Sequence, residues 1–197
     1  MRLFVGIDID EEIRQRIATF MDGVGGFAPD VRWVQPETFH ITLKFIGEQP
    51  ERMLADLREK LRGVHSAPST ISFRGTGFFP TPKAARVFWV GMEYEETLGA
   101  LAAAVDEAIA SLGIAREERA FKPHLTLARA GSGRPQWKTG DRANSAFHRL
   151  QEKLAVLAQP EFGTMMAHDF FLYESKLAPS GARYTKLERY ALKEASQ

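Results

Sequence analysis

The sequence predicts an α+β fold with antiparallel sheets, arranged as two similar lobes that share a cleft. Two observations carry this. Apolar runs with strand periodicity and amphipathic helical stretches intermix without the regular strand–helix–strand rhythm of a parallel sheet. A six-residue pattern also occurs twice, as His40-Ile41-Thr42-Leu43-Lys44-Phe45 and His124-Leu125-Thr126-Leu127-Ala128-Arg129, beginning 84 residues apart in a chain of 197. A repeat at nearly half the chain length suggests two lobes that each give one strand to a common cleft. The hydrophobic content of 44% is enough to bury a full core, and no low-complexity tract or long linker interrupts the chain. Residues 1–197 therefore read as a single domain of two lobes.

Taken in order, Leu3 to Ile9 is a strongly apolar run that reads as a buried strand. Asp10, Glu11 and Glu12 place acids where a helix begins, matching the macrodipole, and Ile13, Ile17 and Phe20 share one face before Gly23, Gly25 and Gly26 end it. Val31 to Val34 is a short strand, and Pro36 with Glu37 makes the turn that delivers His40. Gly47 and Pro50 close the first motif strand, and residues 51–63 carry helical spacing. Residues 71–79 and 86–92 read as two strands of a hairpin with a proline-rich connection. The alanine-rich, amphipathic stretch from Thr97 to Leu112 is a helix closed by Gly113. Residues 116–119 form a charged surface loop, and Phe121-Lys122-Pro123 introduces the second motif strand. Gly131 to Pro135 is a break that continues through Lys138 to Arg142, and residues 143–157 form a helix. Phe162 to Tyr173 and Tyr184 to Leu192 are the last two strands, joined through Pro179-Ser180-Gly181.

Composition excludes several function classes. The formal net charge is +1, so no bulk electrostatic field advertises a nucleic-acid coat protein, and polyanion contact has to come from a local cluster. The chain has no cysteine, which removes disulfides, thiol nucleophiles and thiolate metal sites and fits a reducing compartment. No apolar run approaches membrane-spanning length, and the N-terminal run is too short for a signal peptide. The expectation is a soluble, cytoplasmic, monomeric protein.

The chemistry lies in the repeated pattern. In a strand, side chains two residues apart share a face, so each His and Thr point the same way while the aliphatics point oppositely. Their Cα atoms are about 6.6 Å apart, which suits an imidazole and a hydroxyl reaching the same small anion. Histidine gives or takes a proton near neutrality, so two facing imidazoles allow one to act as general base and the other as general acid. Two threonine hydroxyls can donate to phosphate oxygens. The set fits acid–base cleavage of a phosphodiester, and a cyclic one best, because ring strain lets proton transfer alone carry the reaction. One lone His-x-Thr strand would be unremarkable; the matched second copy makes the reading. No cysteine and no carboxylate stand in either motif, so a metal site is not expected. His65, His148 and His168 lack this context and read as surface or helix residues. Gly75-x-Gly77 opens no helix and reads as a turn, not a dinucleotide loop.

With these motifs the chain resembles the two-histidine phosphoesterase superfamily, and within it the RNA 2′,3′-cyclic phosphodiesterases historically called 2′-5′ RNA ligases. The resemblance runs from Arg2-Leu3-Phe4-Val5-Gly6-Ile7-Asp8 through Arg32-Trp33-Val34, Pro36-Glu37 and His40 to Gly47. It continues in Gly77-Phe78-Phe79-Pro80, Phe121 to Arg129, Tyr173 to Leu177 and Gly181 to Tyr184. Residues 134–158 follow no motif of that family. The resemblance implies a bilobed fold with pseudo-twofold symmetry around a central groove. It also implies metal-independent, cofactor-free opening of an RNA 2′,3′-cyclic phosphate end to a 2′-phosphomonoester. Some relatives run the reverse reaction, joining such an end to a 5′-hydroxyl.

Carried over, His40 is the proton donor to the leaving 3′ oxygen, His124 is the base that activates water, and Thr42 and Thr126 hold the phosphate oxygens. Arg129 and Phe45 stand where the family binds phosphate or base, although simple alternation puts both on the face opposite His and Thr. Lys44 is in phase with His40 and is a candidate to face the RNA backbone. Two other readings use the same residues: an RNA- or nucleotide-binding module without catalysis, and a phosphodiesterase for a small cyclic nucleotide such as an ADP-ribose cyclic phosphate.

Overall fold

The computed structural model describes residues 1–131, 145–178 and 181–193. The expected break after Gly131, the stretch from Lys138 to Arg142, the first residues of the fourth helix and the Pro179-Ser180 turn lie outside these residues. Among the described residues nine strands form two sheets: β1 (Arg2–Asp8), β2 (Val31–Trp33), β3 (His40–Glu48), β4 (Ser69–Phe79), β5 (Val87–Tyr94), β6 (Leu125–Ala130), β7 (Glu161–Ala167), β8 (Asp169–Ala178) and β9 (Gly181–Ala191). One sheet has the order β3-β1-β8-β9 and the other β2-β6-β5-β4-β7. Every pairing is antiparallel. The α-helices among the described residues are α1 (Glu11–Val24), α2 (Leu54–Arg62), α3 (Glu96–Ala110) and α4 (Ser145–Ala155).

The two halves repeat one another. In each, a strand (β1 or β5) leads through a helix (α1 or α3) to the motif strand (β3 or β6) that pairs back with it. Most of the apolar stripes expected from sequence are buried: Ile13 and Ile17 on α1, and Leu98, Leu101, Val105 and Ile109 on α3; on α1 Met21 and Val24 complete the buried face, while Phe20 is only half-buried. Both halves contribute to one core, with Val5, Ile7 and Ile41 from the first sheet and Phe88, Leu125 and Leu127 from the second in one buried cluster.

Three expectations are corrected. Residues 162–173 are not one strand: β7 pairs with β4 in the second sheet, and β8 pairs with β1 in the first. The chain crosses between sheets at His168 while staying extended, so no glycine or proline marks the passage. Gly75 and Gly77 lie within β4, where the ladder to β5 shifts register and Gly75 takes a positive φ of 69°, instead of forming a turn. The third correction concerns the motif strands.

Alternation fails in the middle of both. Gly6 pairs with Thr42 but Val5 pairs with Lys44, so Leu43 has no partner on β1. Likewise Trp89 pairs with Thr126 but Phe88 with Ala128, so Leu127 is skipped. Each is a β-bulge, one extra residue that reverses the facing of the residues next after it. Leu43 and Lys44 are therefore buried in succession, as are Leu127 and Ala128. Phe45 and Arg129 return to the His/Thr face.

Candidate active site

Each motif histidine is held the same way. His40 Nδ1 lies 2.8 Å from the Thr38 carbonyl, and His124 Nδ1 lies 3.0 Å from the Lys122 carbonyl. A carbonyl only accepts, so Nδ1 carries the hydrogen in both rings and Nε2 is the nitrogen left for chemistry. The turn that supplies Thr38 is itself clamped: Arg14 donates from Nη1 to the Pro36 carbonyl at 2.5 Å and from Nη2 to the Ile9 carbonyl at 3.0 Å and Asp8 at 2.8 Å. Asp8 faces His40 across the β1–β3 ladder and is also bridged by Lys186. Close approach matters here: a Cβ on Gly6 would stand 2.8 Å from the Ile41 carbonyl, so β1 and β3 pack at the motif only with glycine.

The surroundings of the two rings differ. His40 packs against Phe4 at 4.6 Å and edge-on against Tyr184 at 4.9 Å, with Tyr173 at 6.2 Å. Phe4 in turn stacks on Tyr173 at 4.8 Å. His124 meets Phe79 edge-on at 5.1 Å, and Phe79 stacks on Trp89. Trp89 lies flat on Gly77, where a Cβ would come within 2.2 Å of the indole.

Electrostatics follow from this packing. Burial pushes the His40 pKa below its ordinary value, and the charges of Arg129 and Arg14 add to that; the Thr38 carbonyl and Asp8 oppose it. The effect of Arg129 on His40 joins the two lobes, because Arg129 stands on β6 of the other sheet. Burial raises Asp8, but the hydrogen bond and charge of Lys186, the Ile9 amide and Arg14 outweigh it and hold the carboxyl below its ordinary value. Burial and the Asp8 charge raise Tyr173, and burial raises Tyr184, so both phenols stay protonated beside His40.

The sequence-predicted residues divide cleanly. Thr42 and Thr126 lie half-buried on the histidine faces. Arg129 is exposed there, with Nη2 3.5 Å from Thr126 Oγ1, and Phe45 is 65% exposed and 6.2 Å from Phe4. Lys44 does not face the groove. The bulge turns it inward, where Nζ meets Asp106 of α3 at 2.5 Å and the Ala115 carbonyl at 2.7 Å, with the side chain 5% exposed. It ties the first motif strand to the helix of the other half and is unavailable to an RNA backbone. His65, His148 and His168 are exposed and outside the site. Among the described residues no group of three His, Asp or Glu side chains is gathered to hold a metal. Sequence reasoning missed Asp8, Arg14 and Lys186, whose contacts span up to 178 residues, and the aromatic wall of Phe4, Tyr173 and Tyr184.

Two antiparallel sheets that each present a His-x-Thr strand, with an arginine of one acting on the histidine of the other, define a two-histidine phosphoesterase. The profile of the LigT-like phosphoesterases matches residues 7–89 and again residues 90–184, one copy for each motif, and the chain belongs to that family. It is similar to an RNA 2′,3′-cyclic phosphodiesterase of Archaeoglobus fulgidus, with 36% identity over 95% of this chain and 98% of the relative. A second such enzyme, from Methanothermobacter thermautotrophicus, is 34% identical over 98% of this chain and 99% of its own. In three dimensions the chain matches E. coli LigT complexed with 3′-AMP at a TM-score of 0.76, with 28% identity and 98% of each chain covered.

Proposed function

We propose that this protein is a cyclic phosphodiesterase that opens the 2′,3′-cyclic phosphate at an RNA end to a 2′-phosphomonoester, without a metal or cofactor. The observation that carries the reading is the duplicated geometry: two strands with the same bulge and the same Nδ1–carbonyl latch, each leaving one imidazole Nε2 without a partner among the described residues. His124 takes a proton from water at Nε2, and the oxygen attacks phosphorus. The P–O3′ bond breaks as His40 delivers its Nε2 proton to O3′. One proton is taken up and one released, so exchange between the rings through solvent resets the enzyme. Thr42 and Thr126 donate their hydroxyls to the non-bridging oxygens, Arg129 offsets the developing charge, and Phe45 offers a face to the terminal base.

Burial and Arg129 leave His40 below its ordinary pKa in the free protein, whereas a donor must be protonated. Arrival of the monoanionic diester balances Arg129 and sets a negative charge beside the ring, which raises His40 towards its acid form. The substrate thus arms its own proton donor. The same residues, run backwards with a 5′-hydroxyl in place of water, would perform ligation. A cysteine-free, near-neutral chain fits a monomer in the cytoplasm, with both lobes acting as one catalytic domain.

The test is incubation with a short RNA ending in a 2′,3′-cyclic phosphate in excess chelator, with identification of the product end. A 2′-phosphate that disappears in His124→Ala is expected. Binding without turnover would indicate a binding module, turnover abolished by chelator would make the histidines metal ligands, and strong inhibition by a small ADP-ribose cyclic phosphate would redirect the substrate.

A further inference from the structure

A pocket of about 720 Å³ opens beside His40 on the side away from the second motif, with walls from Gln15 and Ala18 of α1 and from Tyr184, Thr185 and Lys186 of β9. That volume lies within the roughly 300–1,000 Å³ of small-molecule sites. No residue of β5 or β6 lines it, and it meets the candidate active site at His40 and the tyrosines beside it.

Its charge narrows the ligand. The pocket holds three carboxylates, Asp8, Glu11 and Glu37, against two cations, Arg14 and Lys186. Both cations are already engaged: Arg14 pairs with Asp8 and Glu11, and Lys186 pairs with Asp8. A phosphate would find both cations already paired there and would meet net negative charge. A neutral group with hydrogen-bonding edges and an apolar face is what the walls accept. The Thr185 hydroxyl and Gln15 amide donate or accept, Glu37 accepts from an amino or hydroxyl group, and Tyr184 supplies apolar surface.

The direction of the chain supplies the rest. On the reading above, His40 protonates O3′ of the terminal ribose, so that sugar lies against His40 while water occupies the His124 side. The strand's preceding residue must leave past His40. We propose that this pocket takes the nucleoside on the 5′ side of the cyclic end, making the enzyme selective for oligonucleotides over cyclic mononucleotides. The inference rests on the cyclic phosphodiesterase reading and adds a second subsite to it.

The experiment compares kcat/KM for a dinucleotide ending in a 2′,3′-cyclic phosphate with that for the corresponding mononucleoside 2′,3′-cyclic phosphate. The expected preference for the dinucleotide is about tenfold or more, the scale of one well-seated contact group. Ala18→Trp, which fills the pocket from the helix, brings the ratio down towards one, as does Gln15→Trp from the adjacent turn. Because the mononucleotide reports the folded enzyme, the ratio is insensitive to partial unfolding. Equal efficiency on both substrates in the wild-type protein overturns the proposal alone, as does a preference that survives both variants. Hydrolysis of neither overturns the cyclic phosphodiesterase reading and this one with it.

Discussion

His40 rests against Phe4, Tyr173 and Tyr184, whereas His124 has one aromatic neighbour among the described residues, Phe79. The backbone beneath them is the same: a carbonyl two residues back holds Nδ1, and a bulge follows at the third residue after the histidine. What differs is what the bulge exposes and buries. At the exposed position one lobe carries Phe45 and the other Arg129. At the buried position one carries Lys44, paired with Asp106, and the other Ala128. The comparison teaches that a duplicated scaffold fixes where two imidazoles stand, and that unlike neighbours at equivalent positions set them apart.

The largest expected effect tests whether the two histidines are equally needed. His40→Ala and His124→Ala each lower kcat on the order of 10²–10⁴-fold. Repeating the assay with a phosphodiester whose leaving group needs no proton separates them. Activity returns in His40→Ala and stays absent in His124→Ala; the opposite pattern would exchange donor and acceptor. Next come the exposed positions: Arg129→Gln should cost on the order of 10²-fold in kcat, the loss seen when one donor to a developing anion is removed. Phe45→Ala should instead raise KM by about tenfold, since it removes a stacking surface. Equal effects on kcat at both sites would break the distinction between them.

The buried positions are read by stability. Lys44→Met should lower the unfolding free energy by roughly 3 kcal/mol, because it strands a half-enclosed Asp106, and leave turnover by the folded protein in place. Denaturant titration alongside single-point activity decides this, and a collapse of kcat/KM in folded protein would return Lys44 to the substrate. The smallest effect is a titration. His40 should show an NMR-detected pKa below the ordinary 6.5. Asp8→Asn removes a negative charge that favours imidazolium, so it should lower that value further; a rise would mean Asp8 acts on His40 through something other than its charge.

Much of this was legible in the sequence because it is periodic. The stripes of α1 and α3 and the His-x-Thr alternation repeat at their own periods and can be read locally. The bulge went unread in both copies, although in the second the adjacent apolar pair Leu127 and Ala128 is its trace. Lys44 hides it in the first, since a lysine looks like an outward residue until Asp106 is placed beside it. The passage at His168 left no trace, because an extended chain changing sheets needs no turn residue. Asp8, Arg14 and Lys186 escaped because their contacts belong to tertiary structure.

The crossing at His168 has a consequence for the order in which the molecule is made. The four-stranded sheet takes β1 and β3 from the beginning of the chain and β8 and β9 from residues 169–191, while every strand of the other sheet precedes residue 168. During synthesis from the N-terminus the five-stranded sheet can close first, and β1 waits with one edge open. The long-range pairing that completes it is the slow kind, joining segments some 170 residues apart. Tyr173 and Tyr184, two residues of the wall around His40, emerge only after every strand of the five-stranded sheet. A nascent chain therefore carries both histidines well before it has built the aromatic wall that sets one of them apart.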